Sequence, residues 1–308
     1  MTIKKIYTIL KEKSLTTTEE FQRLFHGRGG LYEGFKHLTI DSIDTIISVA
    51  LYFQEENETE LLDMLCNFVN ESHYSSLVVQ RRYLQGAPSE VLIGELTEEL
   101  YVVENGLKIK LNLTNNKNSG YFPDMKNGRE FIQNNAQGKK VLNLFAYTCG
   151  FSLAAKFGKA KEVVNVDMSK SALSTGKANH ALNKLDPRGV SFLPYNILKS
   201  FSNLKRKGPY DLIIIDPPSF QRGSFEASKD YEKIIKKLPQ LASENAILLS
   251  CLNSPDLKSE FIIELIQEFA PEFTYVTRLK NLEEFASADE EKSLKNLVFI
   301  RGEATPLL

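Results

Sequence analysis

The sequence predicts an α/β protein with a doubly wound, mostly parallel sheet, an antiparallel hairpin at one sheet edge and a small α+β domain in front. From about Gly138, short apolar runs alternate with segments of helical length, which is typical of strands joined by crossover helices. The last two apolar runs have no helix between them. The first 118 residues lack this alternation and contain a hairpin signal instead.

The C-terminal part, from residue 138, justifies this fold element by element. In chain order we predict a strand at Val141–Phe145, a helix at Phe151–Phe157, a strand at Val163–Val166, a helix at Ser171–Lys184, strands at Val190–Leu193 and Leu212–Ile215, a helix at Tyr231–Leu241, a strand at Ala246–Leu252, a helix at Ser259–Phe269 and strands at Phe273–Leu279 and Leu294–Ile300. An acidic loop with Glu283, Glu284, Asp289, Glu290 and Glu291 joins the last two strands, which we expect to form the edge hairpin.

The N-terminal part has a different pattern. Strands are predicted at Ile43–Phe53 and Leu77–Val79, with an apolar helix at Glu60–Val69 between them. Tyr101–Glu104 and Lys108–Leu113 flank Asn105-Gly106, a strong hairpin signal. The polar segment 115–120 is turn-rich, so we place a boundary there, giving a domain 1–118 and a domain 119–308.

Composition excludes several classes of protein. The 308 residues are 42% hydrophobic and 25% charged, as in ordinary globular proteins. No apolar stretch approaches the ~18 residues of a membrane span, and no signal peptide is evident, so we expect a cytoplasmic protein. The three cysteines form no CxxC pair and the four histidines are scattered, which predicts neither a disulfide framework nor a metal site.

The charge balance limits how the protein could hold nucleic acid. The net charge is −1, whereas proteins that bind nucleic acid by bulk charge are strongly basic. Binding would therefore require a local basic face. Three clusters are candidates, although each is also typical of an ordinary solvated surface: Arg81-Arg82, Lys205-Arg206-Lys207 and Lys229 through Lys237.

The most informative segment is the end of the strand Leu212–Ile215, where the chain reads Asp216-Pro217-Pro218-Ser219-Phe220. Because proline cannot donate to a sheet ladder, the strand has to end there. Open α/β sheets bind their ligands at the carboxyl ends of their strands. Taken alone, the segment also fits an ordinary strand-ending turn with one acidic residue.

The loop after the first strand predicts the cofactor. It occupies the phosphate-binding position of a dinucleotide fold but has only one glycine, Gly150, and Phe145 and Tyr147 would crowd a pyrophosphate. Asp167, at the end of the next strand, is placed to bind both ribose hydroxyls; it also fits a helix cap ahead of Ser171. A nucleoside without phosphates points to S-adenosylmethionine.

Four separate segments, taken together, resemble the class I S-adenosylmethionine-dependent methyltransferases, and within them the bacterial large-subunit ribosomal RNA methyltransferases. The order and spacing of the segments make the resemblance specific. It rests on Gly120-Tyr121-Phe122-Pro123-Asp124 with Arg129, on Leu142 through Ser152, on Val166-Asp167-Met168-Ser169 and on Asp216-Pro217-Pro218-Ser219-Phe220.

The resemblance implies roles for the matching positions. Phe122, Asp124 and Arg129 would close over the methionine end of the cofactor, Asp167 would bind the ribose and Met168 would pack on the adenine. Asn196 stands where relatives often have an aspartate that contacts the adenine amino group, and Cys149 replaces a frequent glycine and is expected to be a packing thiol. The other residues assigned to the cofactor site are Tyr121, Asn143, Phe145, Ala146, Tyr147, Thr148, Gly150, Ser169 and Asp216.

The resemblance also implies a methyl acceptor in RNA, held by the Asp-Pro-Pro turn. Phe220 would stack on an unpaired base, while Asp216 and the carbonyl of Pro217 or Pro218 would orient its edge. Guanine N7 needs only positioning, whereas cytosine C5 needs a thiolate, for which Cys251 is the candidate, although this residue also fits a buried strand cysteine. The domain 119–308 would be catalytic, and the domain 1–118 would bind substrate. Methylation of a protein side chain or a small molecule, and a binding protein without turnover, are the alternatives.

Overall fold

The computed structural model describes residues 2–15, 18–54, 56–114, 118–221 and 225–302, without the side chains of Phe220 and Gln221. The chain divides into two compact units. One is Met1–Pro123 with Leu282–Asp289, and the other is Asp124–Asn281 with Glu290–Leu308. The first unit thus extends to Pro123, whereas the sequence predicts a boundary after residue 118. It also includes most of the acidic loop between the last two strands. Part of the polar boundary segment, residues 115–117, lies outside the described residues.

The N-terminal unit is an α+β fold around one five-stranded sheet of order β1-β2-β3-β4-β5. Only β3 and β4 are parallel. Its elements are α1 (Ile3–Lys13), β1 (Gln22–His26), β2 (Leu38–Ile43), β3 (Ile46–Leu51), α2 (Glu58–Asn70), β4 (Ser76–Arg81), β5 (Ser89–Ile93) and the separate hairpin β6 (Tyr101–Glu104) and β7 (Leu107–Lys110).

Two sequence predictions for this unit have different outcomes. The hairpin at Asn105-Gly106 is confirmed, and both residues have the positive φ that this turn requires. The strand predicted at Ile43–Phe53 corresponds to β3 (Ile46–Leu51) with bounds that are too wide, because the chain reverses at Asp44, which has φ 50°. That reversal pairs Ile43 with Ile46 and separates β2 from β3.

The C-terminal unit is the predicted doubly wound sheet, of order β10-β9-β8-β11-β14-β16-β15. Strand β16 runs antiparallel to both of its neighbours and the other described pairings are parallel, which confirms the edge hairpin. The elements are α3 (Lys126–Asn135), β8 (Lys140–Leu144), α4 (Gly150–Phe157), β9 (Glu162–Val166), α5 (Lys170–Leu182), β10 (Val190–Leu193), α6 (Phe201–Lys207), β11 (Tyr210–Ile215), β12 (Phe220–Gln221), β13 (Phe225–Glu226), α7 (Ala227–Ile235), α8 (Leu238–Leu241), β14 (Ala242–Leu252), α9 (Ser259–Phe269), β15 (Phe273–Leu279) and β16 (Lys295–Arg301).

Strand β11 is buried on both faces, which explains why its sequence is apolar throughout and does not alternate with polar residues. Leu212 and Ile214 belong to one apolar cluster, whereas Ile213 and Ile215 belong to another. Successive side chains of a strand point to opposite faces of the sheet, so both faces of β11 are covered, as in other parallel sheets. The helix predicted at Tyr231–Leu241 is two helices, α7 and α8. Across the described part of the chain, no helix is long and apolar enough to cross a membrane.

Candidate active site

The register of the parallel strands brings the predicted site segments to one edge of the sheet. Leu193 pairs with Val166, Val166 with Leu144, Leu144 with Ile215, and Ile215 with Ser250. Four of these five positions are the last residues of their strands, so the residues after them leave the sheet along a single line at its carboxyl edge, whereas β14 continues through Cys251 to Leu252. This places the loop after β8, Asp167, the Asp-Pro-Pro turn and Cys251 on neighbouring strand ends.

The loop after β8 has an unusual backbone. Phe145, Tyr147 and Cys149 have φ values of 60°, 47° and 66°, in the left-handed region that side chains other than glycine rarely adopt. Hydrogen bonds from Ala146 N to Val166 O, at 3.1 Å, and from Cys149 N to Ala146 O, at 2.7 Å, hold this conformation. Such strain costs of the order of 1–3 kcal/mol per residue and is concentrated at functional sites.

Asp167 organises this loop and the helix after it. Its Oδ2 accepts a hydrogen bond from Tyr147 N at 2.9 Å, and its Oδ1 accepts one from Ser169 N at 2.8 Å. The cap of α5 is Ser169, whose Oγ accepts from Ala172 N, so Asp167 is not the helix cap. A carboxylate offers about four acceptor positions, and Asp167 therefore retains capacity for a pair of hydroxyl groups.

A buried chain of polar side chains lies beneath the loop. Asn143 Nδ2 donates to Asn165 Oδ1, Asn165 Nδ2 donates to Ser152 Oγ, and Ser152 Oγ is 2.9 Å from His180 Nε2. Burial lowers the pKa of His180 to about 4, so the ring is neutral. Asn143 is 1% exposed, so it lies beneath the loop and supports it. Its Oδ1 has no hydrogen-bond partner among the described residues.

Cys149 has the packing role that the sequence predicts. The thiol is fully buried, and a Cβ on Gly176 of α5 would lie 2.4 Å from its Sγ. The missing side chain at Gly176 therefore makes room for Cys149. Burial raises the pKa of this thiol above its ordinary range, so it is protonated and unreactive. Asn179 Nδ2 fixes the same turn by donating to Thr148 O at 3.1 Å.

Asp216 occupies an electrostatically unfavourable position. Burial, together with the nearby Asp124 carboxylate, raises the pKa of Asp216 to about 7, although Arg129 opposes the shift. Arg129 is buried and packs against Gly150, where a Cβ would lie 3.4 Å from its Cδ. A cationic ligand at this position would favour the ionised form of Asp216.

Hydrogen bonds of Ser219 hold the Asp-Pro-Pro turn in place. Pro217 is buried and Pro218 is exposed. Ser219 Oγ donates to Asn253 O at 2.5 Å, and Ala227 N donates to Ser219 O at 3.1 Å. The backbone of Phe220 pairs with Glu226 in the short β12–β13 ribbon, but the Phe220 side chain lies outside the described residues. Its stacking role stays a prediction.

Tyr231 on α7 is a functional candidate that sequence reasoning missed. It is fully buried, and its hydroxyl lies 2.8 Å from both Ser250 Oγ and Cys251 O and 3.3 Å from Ile215 O. One hydroxyl thus joins the ends of β11 and β14, immediately before Asp216. A tyrosine on the buried face of an amphipathic helix gives no separate signal in the sequence.

Cys251 lies in the core and not in an open site. Its thiol is 1% exposed and packs in an apolar cluster with Leu249 and Val298. Burial, followed by the negative charge of Asp216 and Asp124, raises its pKa well above the usual value. Because the thiolate is the nucleophilic form, this environment disfavours attack by Cys251.

The remaining predicted cofactor residues occupy varied environments. Met168 is 46% exposed directly after Asp167. Asn196 caps a 3-10 turn, with its Oδ1 accepting from Lys199 N at 3.3 Å, and has a second lone pair available. Tyr121 and Phe122 belong to the N-terminal unit, where the buried Tyr121 hydroxyl donates to Glu104 at 2.6 Å. Among the described residues, no group of three potential metal ligands is present.

The residues at this edge fit S-adenosylmethionine. Asp167 has spare acceptors for ribose hydroxyls, and Met168 provides an exposed apolar side chain beside it. The negative charge around Asp216 and Asp124 complements a sulfonium. The strained loop lacks the bare glycine backbone that a pyrophosphate requires.

Relatives with curated descriptions are similar to most of the chain. It is 32% identical over 228 residues to the ribosomal RNA large subunit methyltransferase I of Aeromonas salmonicida, an alignment that covers 71% of this chain and 58% of that protein. It is 36% identical over 169 residues to the ribosomal RNA large subunit methyltransferase K/L of Shewanella sp. strain MR-4, covering 53% of this chain and 24% of that protein. The chain thus spans less than two thirds of the length of these relatives.

Solved structures and a family comparison agree with this similarity. The crystal structure of SMU.776, complexed with SAH, superimposes with a TM-score of 0.85 at 26% identity, covering 97% of this chain and 82% of that one. A methyltransferase from Agrobacterium tumefaciens shares the fold, with a TM-score of 0.66 at 22% identity and 87% coverage of both chains. Residues 22–300 match the family described as S-adenosylmethionine-dependent methyltransferase. The chain therefore belongs to the S-adenosylmethionine-dependent methyltransferases, and S-adenosylmethionine is its cofactor.

Proposed function

We propose that this protein transfers a methyl group from S-adenosylmethionine to a base of RNA, and specifically of large-subunit ribosomal RNA. The observation that carries the proposal is the Asp216 turn, anchored by Ser219 and Tyr231 at the strand end beside the cofactor residues. The names of the Aeromonas and Shewanella relatives supply the RNA class. The small N-terminal domain is proposed to contribute to RNA binding.

The protein's contribution to this chemistry is mainly alignment. When bound, S-adenosylmethionine supplies an electrophilic methyl group on a sulfonium with a good leaving group. Asp216 and Asp124 provide negative charge that holds a cation in place, while Asp167 fixes the loop through Tyr147 N. Positioning of this kind can account for a large part of a rate enhancement.

The acceptor that best fits these residues is a ring nitrogen with its own lone pair, of the guanine N7 type. Such a nucleophile needs no covalent help from the protein. The buried, protonated Cys251 supports this choice over cytosine C5, which requires a thiolate. The exposed Pro218 and the carbonyl groups of the turn are available to orient the edge of a planar base.

The direct experiment supplies the purified protein with methyl-labelled S-adenosylmethionine and ribosomal RNA from a strain that lacks the gene. We expect label in large-subunit RNA at one guanine, located by nuclease mapping and mass spectrometry. Tritium in protein or small-molecule fractions, with none in RNA, would contradict the proposal and favour the alternative acceptors. RNA from the parent strain is the control, because its target base is already methylated.

The Cys251→Ala variant distinguishes the two base chemistries. We expect turnover within about twofold of wild type, because a protonated core thiol takes no part in positioning an acceptor. Val298→Ala is the matched control, since it truncates another buried side chain of the apolar cluster that contains Cys251. Loss of turnover in Cys251→Ala alone, with an RNA–protein adduct trapped by the wild type on 5-fluorocytosine RNA, would favour cytosine C5.

A further inference from the structure

The basic clusters suggested by the sequence differ in how their charges are neutralised. The lysines in 229–237 form three ion pairs within or beside α7. The cluster 205–207 lies in the last turn of α6, where positive charge complements the helix dipole. Arg81 pairs with both Glu58 and Glu90. Within the described ranges Arg82 has no carboxylate partner, and its guanidinium donates to Asn118 Oδ1 at 3.0 Å.

A second arginine joins Arg82 at one tyrosine ring. The guanidinium carbon of Arg28 is 4.0 Å from the centroid of the Tyr52 ring, and that of Arg82 is 5.1 Å from the same centroid. Tyr52 directly follows β3 and Arg82 directly follows β4, and these two strands are parallel neighbours. The topology of the N-terminal unit therefore creates this juxtaposition.

The arrangement brings two guanidinium groups to one ring, and neither is in an ion pair with a carboxylate of the described residues. Arg28 is exposed and, among the residues that the structure describes, pairs with no carboxylate. The guanidinium of Arg28, held against the ring, keeps its N–H edge available for bidentate contact with phosphate oxygens. Arg82 donates to Tyr52 Oη and Asn118 Oδ1 and keeps the rest of its five N–H donors for a phosphate. The residue after Tyr52, Phe53, is 66% exposed, so its ring is accessible for stacking on a ligand.

We propose that Arg28, Tyr52, Arg82 and Phe53 form a binding site for a single-stranded segment of the RNA substrate. The two guanidinium groups contact its phosphates and the ring of Phe53 stacks on an adjacent base. Charge complementarity to a polyanion, combined with an exposed aromatic face, is the usual composition of single-strand sites. The inference rests on the proposed function, because it assigns the RNA that this enzyme methylates.

The test measures binding of a fluorescent single-stranded fragment of large-subunit RNA to the full-length protein across a salt series. The double variant Arg28→Gln/Arg82→Gln should weaken binding about tenfold or more at low salt. It should also reduce the slope of log affinity against log salt by about 1.4, since each single-strand phosphate contact contributes about 0.7. Phe53→Ala should weaken binding about 5- to 100-fold with little change in slope.

Arg188→Gln is the matched control, because it removes an exposed arginine that pairs with Asp186. Cofactor affinity and thermal unfolding should match wild type in all variants; if the double variant unfolds, the single variants Arg28→Gln and Arg82→Gln replace it, each with an expected reduction in slope of about 0.7. If wild type binds RNA and the double variant keeps the affinity and slope of Arg188→Gln, the site assignment is wrong while the proposed function stands. If wild type binds no RNA, both fail. Equal competition by polyglutamate would assign the surface to an acidic protein instead.

Discussion

Two aspartates at the same edge of the catalytic sheet differ in their surroundings. Asp167 and Asp216 each follow a strand end in one register row, with β8 between the two strands. Asp167 accepts hydrogen bonds from the backbone of Tyr147 and Ser169. Asp216 faces the like charge of Asp124, and the pKa of Asp216 rises to about 7. One carboxylate therefore stabilises the fold that surrounds it, whereas the other, which Arg129 offsets only in part, is stabilised further when a cationic ligand binds.

The two aspartates therefore contribute differently: Asp167 shapes the site before any ligand binds, whereas Asp216 acts when the ligand is bound. The cofactor side is built in advance by hydrogen bonds that need no ligand. Asp216, at the start of the Asp-Pro-Pro turn, retains an unfavourable negative charge that the sulfonium of bound S-adenosylmethionine would relieve. This part of the site is therefore most stable with the cofactor bound. Replacement of aspartate by asparagine should consequently change the free energy of unfolding in opposite directions at the two positions.

The largest effect is expected for Asp216→Asn. Removing its charge should lower methyl transfer by at least about 100-fold, as for other electrostatic groups that act at the reacting centre. It should also raise the thermal midpoint, by about 2–4 °C for each kcal/mol of relieved burial cost. Single-turnover methylation and thermal unfolding at pH 8 measure the two changes.

The exposed variant Asp186→Asn serves as the control, because its carboxylate pairs with Arg188 at the surface. It should change neither turnover nor the midpoint by more than the experimental spread. Turnover of Asp216→Asn within threefold of wild type, or a lowered midpoint, would show that the charge at Asp216 is not what distinguishes this position.

Asp167→Asn should have the opposite effect on stability and the next largest effect on function. An amide can accept from one of the two backbone N–H groups, but its NH2 group opposes the other, so we expect a loss of about 1–3 kcal/mol. Affinity for S-adenosylmethionine should fall about 10- to 100-fold, because the loop and the ribose acceptor are both disturbed. Titration calorimetry measures the cofactor affinity, and chemical unfolding measures the loss of stability.

A matched control lies at the other end of the sheet. Asp211 also accepts a backbone hydrogen bond, from Lys140 N at 2.9 Å. Asp211→Asn should therefore lose some stability while it keeps its cofactor affinity. If Asp167→Asn behaves in the same way as Asp211→Asn, then Asp167 is a structural residue and not a ribose ligand.

The pH dependence of cofactor binding tests the Asp216 charge without mutation. A raised carboxyl pKa means that the folded state holds its proton more tightly, so stability falls as pH rises from about 4 to about 7 and the penalty is fully present above that. A cation binds better to the ionised form. Affinity for S-adenosylmethionine should therefore fall about tenfold from pH 8 to pH 6.

The comparison ligand is S-adenosylhomocysteine, which has the same nucleoside but no sulfonium charge. Its affinity should vary much less over this pH range in titration calorimetry. Asp216→Asn should remove the difference between the two ligands. Parallel pH profiles for both ligands in the wild type would contradict an electrostatic role for Asp216.

The sequence predicted those parts of the site that depend on local rules. The unbroken apolar run Leu212–Ile215 indicated a strand buried on both faces, and the two prolines fixed its end. The left-handed residues of the loop after β8 could not be predicted, because contacts with Val166 and Asp167 from a different strand impose them. Helix α1 was missed because Ile6 and Leu10, the residues it buries, are surrounded by lysines.

The smallest predicted effect concerns Tyr231, the positioning residue that the sequence did not reveal. Tyr231→Phe removes the hydroxyl that joins Ile215, Ser250 and Cys251, which should cost about 1–3 kcal/mol of stability. Turnover should fall about 3- to 10-fold with cofactor affinity unchanged, because the acceptor turn is loosened while the cofactor loop is not. Tyr210→Phe removes a comparable buried hydrogen bond, to Leu204 O at 2.9 Å, from the opposite end of β11. Equal losses of turnover in both variants would mean that Tyr231 only stabilises the fold, whereas a loss confined to Tyr231→Phe would show that the acceptor side depends on support from α7.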